Sequence, residues 1–216
     1  MNKFLTILLL AALSAVGIAQ DKRAEVFLGY SNLQADRSFD SLGNFSSFQD
    51  TFKRNGLHGG EAAVTGFPVS WLGLTGDFSM HQKNSRTTVA TGNNEYERRV
   101  IYFMGGPTFK IRNPTRIEPY VHGLFGGAHI REKYTLTSTT TTGPPQTILD
   151  ISDTKFAMGL GGGLDVRLGD KFSLRLIQVD YTPIFTGDRV FVVNNNSIRL
   201  DKNRVDNLRI SAGIVF

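Results

Sequence analysis

The stretch DNLRISAGIVF, residues 206–216, decides the fold of this chain. From residue 208 onward every second residue is apolar, and Arg209, Ser211, Gly213 and Val215 stand between them. The apolar column consists of Leu208, Ile210, Ala212, Ile214 and Phe216. Because a β-strand turns successive side chains to opposite faces, the pattern predicts a strand with one continuous apolar face that runs to a terminal aromatic residue.

The same alternation recurs upstream, most regularly in TKFAMGLGGGLDVRLG, residues 154–169. Its apolar face comprises Phe156, Met158, Leu160, Gly162, Leu164, Val166 and Leu168. Its other face holds small residues together with Lys155, Asp165 and Arg167. The segments WLGLTGDFSMH, RRVIYFMGGPTFKI and EPYVHGLFGGAHI follow the same rule, whereas AEVFLGYSNL and GLHGGEAAVTGF leave their facing open. No segment after the amino terminus has helical periodicity.

The first twenty residues, MNKFLTILLLAALSAVGIAQ, have the layout of a secretory signal. A basic residue, Lys3, precedes an apolar run that begins at Phe4, and small residues stand at Gly17 and Ala19. The alternative is a membrane-anchoring helix, but the apolar run is shorter than the roughly 20 residues that a spanning helix needs. We predict a cleaved signal peptide over residues 1–19 and one mature domain over residues 20–216.

Composition limits the chemistry that the chain can carry. The 216 residues include no cysteine, which excludes disulfide bonds, thiol chemistry and thiolate metal sites. The formal charge of +5 at pH 7 is mild and unclustered, so we expect no nucleic-acid partner. After the amino terminus there is no second long apolar run, and the sequence therefore predicts no transmembrane helix.

The connections between the alternating segments are short and long in strict turn. The short ones are FPVSW, IRNPTRI and LGDKF, each with residues that favour turns. The long ones span residues 32–55, 82–97, 131–153 and 182–205, and the Thr-rich segment YTLTSTTTTGPPQT is predicted to be loop. Seven connections imply eight strands that run up and down.

Two eight-stranded architectures fit this pattern. A transmembrane barrel has strands of roughly 9–11 residues, an apolar outside, short periplasmic turns and long extracellular loops. A soluble barrel of the lipocalin type would instead turn its apolar face inward around a ligand. The glycines, Asp165 and Arg167 on the non-apolar face suit a narrow, ion-paired interior. We therefore predict an all-β fold, an eight-stranded antiparallel up-and-down transmembrane β-barrel with an apolar exterior.

The segments AEVFLGYS, WLGLTGDFS and PYVHGLFGGAH, together with the terminal strand, resemble the small eight-stranded outer-membrane barrels of the OmpA/OmpX-like superfamily. The resemblance covers residues 24–216. It implies that the column from Leu208 to Phe216 is a carboxyl-terminal assembly signal, which the barrel assembly machinery reads in that group. We expect no periplasmic peptidoglycan-binding domain of the kind that some members append.

The interior can be predicted in part from the turn at residues 169–171. If these three residues form the turn, Asp165 lies opposite Arg175 as a structural ion pair, and Gly163, Gly161 and Gly159 lie opposite Ile177, Val179 and Tyr181. Other residues predicted to face the lumen are Lys155, Arg167, His122, Asp77, Lys110 and Arg209. The same register turns Gln178 and Asp180 toward lipid, so either Asp180 lies at the outer rim or a bulge between Leu176 and Gln178 reverses the facing.

No catalytic, cofactor-binding or metal-binding residue is predicted. An eight-stranded barrel is only wide enough for its own side chains, which disfavours a diffusion pore. Hydrolysis of an acyl chain requires a serine beside a histidine that a carboxylate orients. The four histidines are His58, His81, His122 and His129, and none occurs in a His-x-Ser arrangement. His81, near Ser79 and Ser85, comes nearest to such a site.

The sequence thus predicts a monomeric, non-enzymatic protein of the bacterial outer membrane, exported through the periplasm, that acts as a scaffold or a surface-contact protein. Its expected partners are outer-membrane lipid, lipopolysaccharide near Arg98, Arg99 and Arg131, and the barrel assembly machinery. The phenylalanines of the first long connection form either strand extensions or an adhesive patch. A lipid A-modifying enzyme, a soluble periplasmic ligand-binding barrel and a narrow pore remain alternatives.

Overall fold

The computed structural model describes residues 24–35, 55–89, 92–112, 114–138, 146–169, 171–186, 189–193, 196–200 and 204–216. Among them no helix is long and apolar enough to cross a membrane. The strands are β1 (Ala24–Ala35), β2 (Asn55–Val69), β3 (Leu72–Val89), β4 (Gly92–Lys110), β5 (Ile117–Ser138), β6 (Gln146–Arg167), β7 (Ser173–Tyr181), β8 (Ile184–Phe185), β9 (Arg189–Val193), β10 (Asn196–Leu200), β11 (Arg204–Val205) and β12 (Leu208–Val215). The predicted signal peptide lies outside the described residues.

The strands close into an eight-stranded antiparallel barrel, as predicted. β1 to β7 pair in chain order, and β12 completes the cylinder by pairing with both β7 and β1. β8 and β11 continue β7 and β12 in unchanged register, because Ile184 pairs with Ala157 of β6 and with Val205 of β11. β9 and β10 form a separate two-stranded sheet. We call the end with the short connections the turn end and the opposite end the hairpin end.

The apolar face of the barrel points outward. Phe156 is 52% exposed and Phe125 47%, whereas Asp165 and Arg209 are fully enclosed. This is the reverse of the arrangement that the soluble-barrel alternative requires. The weak alternation of β1 and β2 has a simple cause, since their inward residues mix apolar side chains with polar ones. These inward residues include Phe27, Ser31, Leu33, Leu57 and Glu61.

A bulge in β7 overturns part of the predicted register. Asp165 does lie opposite Arg175, but the next pair is Leu164 with Ile177, so Leu176 is an extra residue. Leu176 and Ile177 both point outward and are about half exposed. Of the two alternatives for this segment, the bulge is the one observed, as expected for a strand that must keep an aspartate out of hydrocarbon.

The predicted pairings beyond the bulge are consequently wrong. Gly163 lies opposite Gln178 and Gly161 opposite Asp180, while Tyr181 pairs with Leu160 rather than with Gly159. The glycines leave room for these polar side chains. A Cβ atom at Gly161 would come within 2.1 Å of Asp180 Oδ1, so no larger residue fits there without a shift of the network.

The hairpins are longer than the sequence suggested. Residues 82–97, predicted to be loop, belong mostly to β3 and β4, whose ladder continues to the pair Val89–Gly92. The Thr-rich segment is also partly strand, because β5 runs to Ser138 and β6 begins at Gln146. A ladder needs only a partner strand to continue beyond an apolar wall, and threonine favours strands. Residues 36–54, with the phenylalanines of the first long connection, lie outside the described residues.

Deletion of Leu176 provides a test of the bulge. Without this residue Arg175 faces inward, Ile177 outward and Gln178 inward, so both ladders of β7 become regular. We expect the deletion variant to fold into lipid vesicles with wild-type yield and to migrate like the wild type in both unheated and heated gel samples.

Deletion of Leu174 is the matched control. It places Ser173 directly beside Arg175, and two adjacent residues cannot both face inward in a strand without a second bulge. We expect this variant to fold poorly. If the Leu174 deletion folds normally and the Leu176 deletion does not, the bulge is misplaced.

Candidate functional site

The centre of the barrel is built around one arginine. Arg209 of β12 is fully buried, and its Nη1 donates to Asp77 Oδ1 at 2.7 Å and to Ser79 Oγ at 2.9 Å. Its Nη2 donates to Asp180 Oδ2 at 2.7 Å and lies 3.5 Å from Glu61 Oε1. We call these residues and Gln178 the central cluster. Three carboxylates from three strands thus converge on a single guanidinium.

Gln178 connects the central cluster to the rest of the interior. Its Nε2 donates to Glu61 Oε1 and to Asp180 Oδ2, each at 2.7 Å. Its Oε1 accepts from the hydroxyl of Tyr120 and from Nη1 of Arg175, again at 2.7 Å. Both donor hydrogens and both acceptor sites of the amide are therefore used, which is what a fully buried amide requires.

A second cluster lies toward the turn end, around Lys110. The ammonium of Lys110 lies 2.9 Å from Glu25 Oε2, 3.0 Å from Asp165 Oδ2 and 3.2 Å from Glu118 Oε2. Nε of Arg175 donates to Asp165 Oδ1 at 2.8 Å. We call these five residues, which lie nearer the turn end, the lower cluster. At the mouth of the barrel, its opening at the turn end, the cluster extends through Arg112, 3.0 Å from Glu25, and Arg167, 2.8 Å from Glu118.

Arg175 also packs between two rings. Its guanidinium carbon lies 4.3 Å from the ring centroids of both Phe27 and Tyr120. The ring faces attract the cation and cover it from both sides, so its rotamer is fixed by packing as well as by hydrogen bonds.

The two clusters fill the centre and the turn-end part of the described interior, and a buried apolar group that includes Leu33 and Val100 fills the part nearer the hairpin end. A pocket of about 50 Å³ opens at the turn end beside Glu25 and Glu118. A smaller cavity of about 10 Å³ remains among the side chains of the clusters, with Glu61, Asp77, Lys110 and His122 in its lining. That volume suits about one water molecule. No group of three or more His, Asp or Glu side chains within the described ranges is arranged to hold a metal ion. The arrangement favours a packed core that ties strands together over a ligand site.

The structure places the predicted lumen residues in this interior. Asp165 and Arg175 form a bidentate pair, with a second contact of 3.2 Å. Asp77, Lys110, His122 and Arg209 belong to the clusters or contact them, and Arg167 lies at the mouth. Lys155 is half-buried near the hairpin end, 3.0 Å from Asp153. The column Leu208, Ile210, Ala212, Ile214 and Phe216 lies on the outward face.

Several residues of the clusters were not predicted. Gln178 and Asp180 were assigned to the lipid side because nothing in the sequence marks the bulge. Glu61 and Glu25 lie in the two segments whose alternation is weak. Glu118 could have been found, since it shares the parity of His122 on β5, which was predicted to face the lumen.

The histidines do not form the arrangement that the sequence made most plausible. His81 is buried, and its Nε2 lies 2.8 Å from Ser31 Oγ rather than beside Ser79 or Ser85. The hydroxyl of Ser79 is taken by Arg209. His122 contacts Asp180 at 2.8 Å and so supports the central cluster.

His129 also contacts a serine, in this case on the outside of the barrel. It lies on the outward face of β5, with Nδ1 2.9 Å from Thr154 Oγ1 and Nε2 3.3 Å from Ser152 Oγ of β6. The position that a carboxylate would occupy in a hydrolytic triad is taken by a neutral hydroxyl.

The three arginines near the outer rim are not equivalent. Arg98 was grouped with the surface cations, but its side chain is buried and forms an ion pair with Glu132 at 3.1 Å. Arg99 and Arg131 face outward and lie directly opposite each other on β4 and β5. Arg131 also contacts Asp150 at 3.3 Å.

Replacement of Arg209 by methionine should test the central cluster. The substitution leaves Glu61, Asp77 and Asp180 buried without their cation, and loss of one member of a buried ion pair costs about 3–5 kcal/mol. We expect the free energy of unfolding, measured by urea titration in lipid vesicles, to fall by about that amount. Arg204→Met is the control, because Arg204 is exposed, and its loss should cost less than about 1 kcal/mol. Equal effects of the two substitutions would rule out a central role for Arg209.

Comparison with solved structures returns bacterial outer-membrane barrels of similar fold. Ail, the attachment invasion locus protein of Yersinia pestis, is 16% identical, with 89% of this chain and 97% of that chain covered and a TM-score of 0.49. Neisserial surface protein A is 11% identical, with 89% and 95% covered and a TM-score of 0.41. The outer membrane protease OmpT from Escherichia coli is 9% identical, with 89% and 95% covered and a TM-score of 0.43.

A search of curated proteins finds no significant match. A family model is more informative, because it matches residues 5–216, nearly the whole sequence. The model describes the outer membrane protein beta-barrel domain, and it agrees with the closed barrel, the outward apolar face and the enclosed ion pairs. The chain belongs to the outer membrane protein beta-barrel domain family.

Proposed function

We propose that this protein is a non-enzymatic scaffold of the bacterial outer membrane that carries a surface for contacts outside the cell. In this proposal the turn end faces the periplasm, and the hairpins of β3–β4 and β5–β6 form the extracellular surface. Membership of the family supports the location in the outer membrane. The packed interior supports a structural role, since the cavity left among the clusters of the described barrel is only about 10 Å³, too small for a ligand.

The observation that carries the proposal is the continuation of the strands beyond the apolar wall. On β4 the outward residues are apolar from Phe109 to Ile101 and then become Arg99, Glu97 and Glu95. Eight strand residues from 92 to 99 thus lie beyond the wall, a length of about 25 Å along the strand. The ladders of β4 with β3 and β5 continue over this length.

The exposed face of this extension carries both positive and negative side chains. Arg86 contacts Glu95 at 3.3 Å, and Glu97 lies opposite Lys133. Exposed ion pairs of this kind contribute about 0–1 kcal/mol to stability, so they can exchange for contacts with a partner at little cost. Rigid strands that present polar groups well outside a membrane suit a contact surface.

The carboxyl-terminal column supports two further parts of the proposal. Phe216 exchanges two backbone hydrogen bonds with Val26, at 2.9 and 3.1 Å, so the last residue takes part in closure of the barrel. Its outward side chain and the column from Leu208 remain available to the barrel assembly machinery while the sheet is still open. Once closed, the sheet leaves no wall edge unpaired, and this favours a monomer.

Epitope tags should test the orientation. We expect a tag inserted between Val89 and Gly92 to bind antibody on intact cells, and a tag inserted between Gly169 and Lys171 to bind only after the outer membrane is permeabilised. The opposite labelling would refute the orientation. The absence of both tags from the membrane fraction would refute the location.

A shortened hairpin should separate the contact surface from the barrel. Lys83 and Arg98 face each other in the ladder, so an Asn-Gly turn can replace residues 84–97 in register. We expect the unfolding temperature to change by only a few degrees, because the two buried clusters are intact. At equal surface level, cells with the shortened protein should adhere to wells coated with serum proteins less than cells with the full protein. Equal adhesion would contradict a contact role for this hairpin.

A second candidate function is hydrolysis of a lipid ester, and the pair Ser152–His129 favours it. In such a reaction the Ser152 hydroxyl attacks the ester carbonyl while His129 Nε2 takes the hydroxyl proton and passes it to the leaving alcohol; water then releases the acyl group. The missing carboxylate argues against it. We expect lipid A and phospholipids from cells that express the protein or Ser152→Ala to have identical masses. A loss of acyl mass that requires Ser152 would establish the enzyme instead.

A further inference from the structure

We propose that Arg99 and Arg131 form a binding site for the phosphate group of a phosphorylated glycolipid, the lipid A portion of lipopolysaccharide, on the membrane-facing wall of the barrel. The inference deepens the proposed function, because only the orientation given there sets this rim in the outer leaflet. The site is built on strands β4 and β5 and uses no residue of the two interior clusters.

The two arginines lie in direct cross-strand register on the outward face. Side chains in this relation have Cβ atoms about 5 Å apart, and like charges so placed destabilise a sheet. An anion bound between the two guanidinium groups replaces their mutual repulsion with attraction of both to the anion. Each guanidinium can donate two parallel hydrogen bonds to one phosphate group, a geometry that lysine does not offer.

Within the described residues Arg99 has no carboxylate directly opposite it, and Glu97, two positions before it on the same face, lies opposite Lys133. The cross-strand neighbours of Arg99 are Gln82 on β3 and Arg131 on β5. Within the described part of the chain Arg99 forms no ion pair, in contrast to Arg86, whose partner is Glu95. Arg131 shares Asp150 at 3.3 Å, but both of these side chains are about half exposed, so that pair is weak and can accommodate a further anion.

The height of the pair fits a lipid headgroup. On β4 the outward residues just below Arg99 are Ile101 and Phe103, and on β5 the outward face below Arg131 leads to Phe125. Phe156 of β6 continues the same wall, and the three phenylalanines are each about half exposed. An anion held at the arginines therefore lies above an aromatic, apolar surface, which begins directly below Arg99 on β4 and below His129 and Gly127 on β5.

The charge of the ligand follows from that of the site. A phosphomonoester carries close to two negative charges at neutral pH, whereas the phosphodiester of a common phospholipid carries one. Two arginines side by side, with Asp150 bound to only one of them, leave an excess positive charge that favours the doubly charged group. Gln82, which flanks the pair on the same face, adds a neutral donor for the sugar hydroxyls of a glycolipid.

The test measures thermal stability in vesicles. Wild-type protein and the double variant Arg99→Gln/Arg131→Gln are refolded into phosphatidylcholine vesicles with or without lipid A. We expect lipid A to raise the unfolding temperature of the wild type by several degrees, and this rise to shrink at least threefold in the double variant. Arg86→Gln, an outward arginine that has a carboxylate partner, is the matched control and should keep the full rise.

Three further arms identify the ligand. Phosphatase-treated lipid A, phosphatidylglycerol and free inorganic phosphate should each produce less than a third of the rise. An equal rise with treated lipid A would show that the phosphate is not recognised. An equal rise with phosphatidylglycerol would show that any anionic lipid suffices. An equal rise with inorganic phosphate would show that the site does not select a lipid. Each of these results would overturn the proposal, as would an undiminished rise in the double variant.

Failure of this inference and failure of the proposed function are distinguishable. Vesicles expose lipid A on both leaflets, so the thermal shift does not depend on orientation in the cell. Labelling of the tag between Val89 and Gly92 on intact cells, together with an absent thermal shift, would leave the proposed function in place and remove only the lipid site.

Discussion

The enclosure of ion pairs by a closed sheet is the constraint on which the rest of this structure depends. Arg209 holds carboxylates from β2, β3 and β7, so one guanidinium ties together strands that are not all neighbours. Each carboxylate would cost several kcal/mol to bury alone. The interior ion pairs consequently fix the register of the strands, since a slip of one residue would turn a charged side chain toward hydrocarbon. The outer wall makes no comparable demand, because lipid tails accept any apolar side chain.

The sequence was sufficient for the architecture. The alternation of β3, β4, β5, β6 and β12, together with the short and long connections, predicted eight antiparallel strands with the apolar face outward. The prediction of strand ends failed where backbone pairing, rather than burial of side chains, determines where a strand ends. The Thr-rich segment is partly strand because β5 and β6 continue to pair beyond the apolar wall, and no hydrophobic period reports such a ladder.

The interior was predicted only in part, and the reason is local. The pair Asp165–Arg175 lies four residues from the ends of a short turn, so counting residues was enough. One extra residue at Leu176 then inverted every assignment beyond it and concealed Gln178 and Asp180. The environment of Arg209 brings together residues more than 100 positions apart, and a single sequence contains no signal for contacts of that range.

The backbone bonds between Val26 and Phe216 have a consequence for how the molecule is made. The seam joins the two ends of the described chain, and Ser211 reaches Ser31 across 180 positions. The barrel therefore cannot close while its first strands are being synthesised, because the free edge of β1 pairs with β12, the strand farthest from it along the described chain. Topologies dominated by such distant contacts fold slowly. During that interval the strands offer unpaired edges to other chains, so the polypeptide has to be kept from aggregating on its way to the membrane.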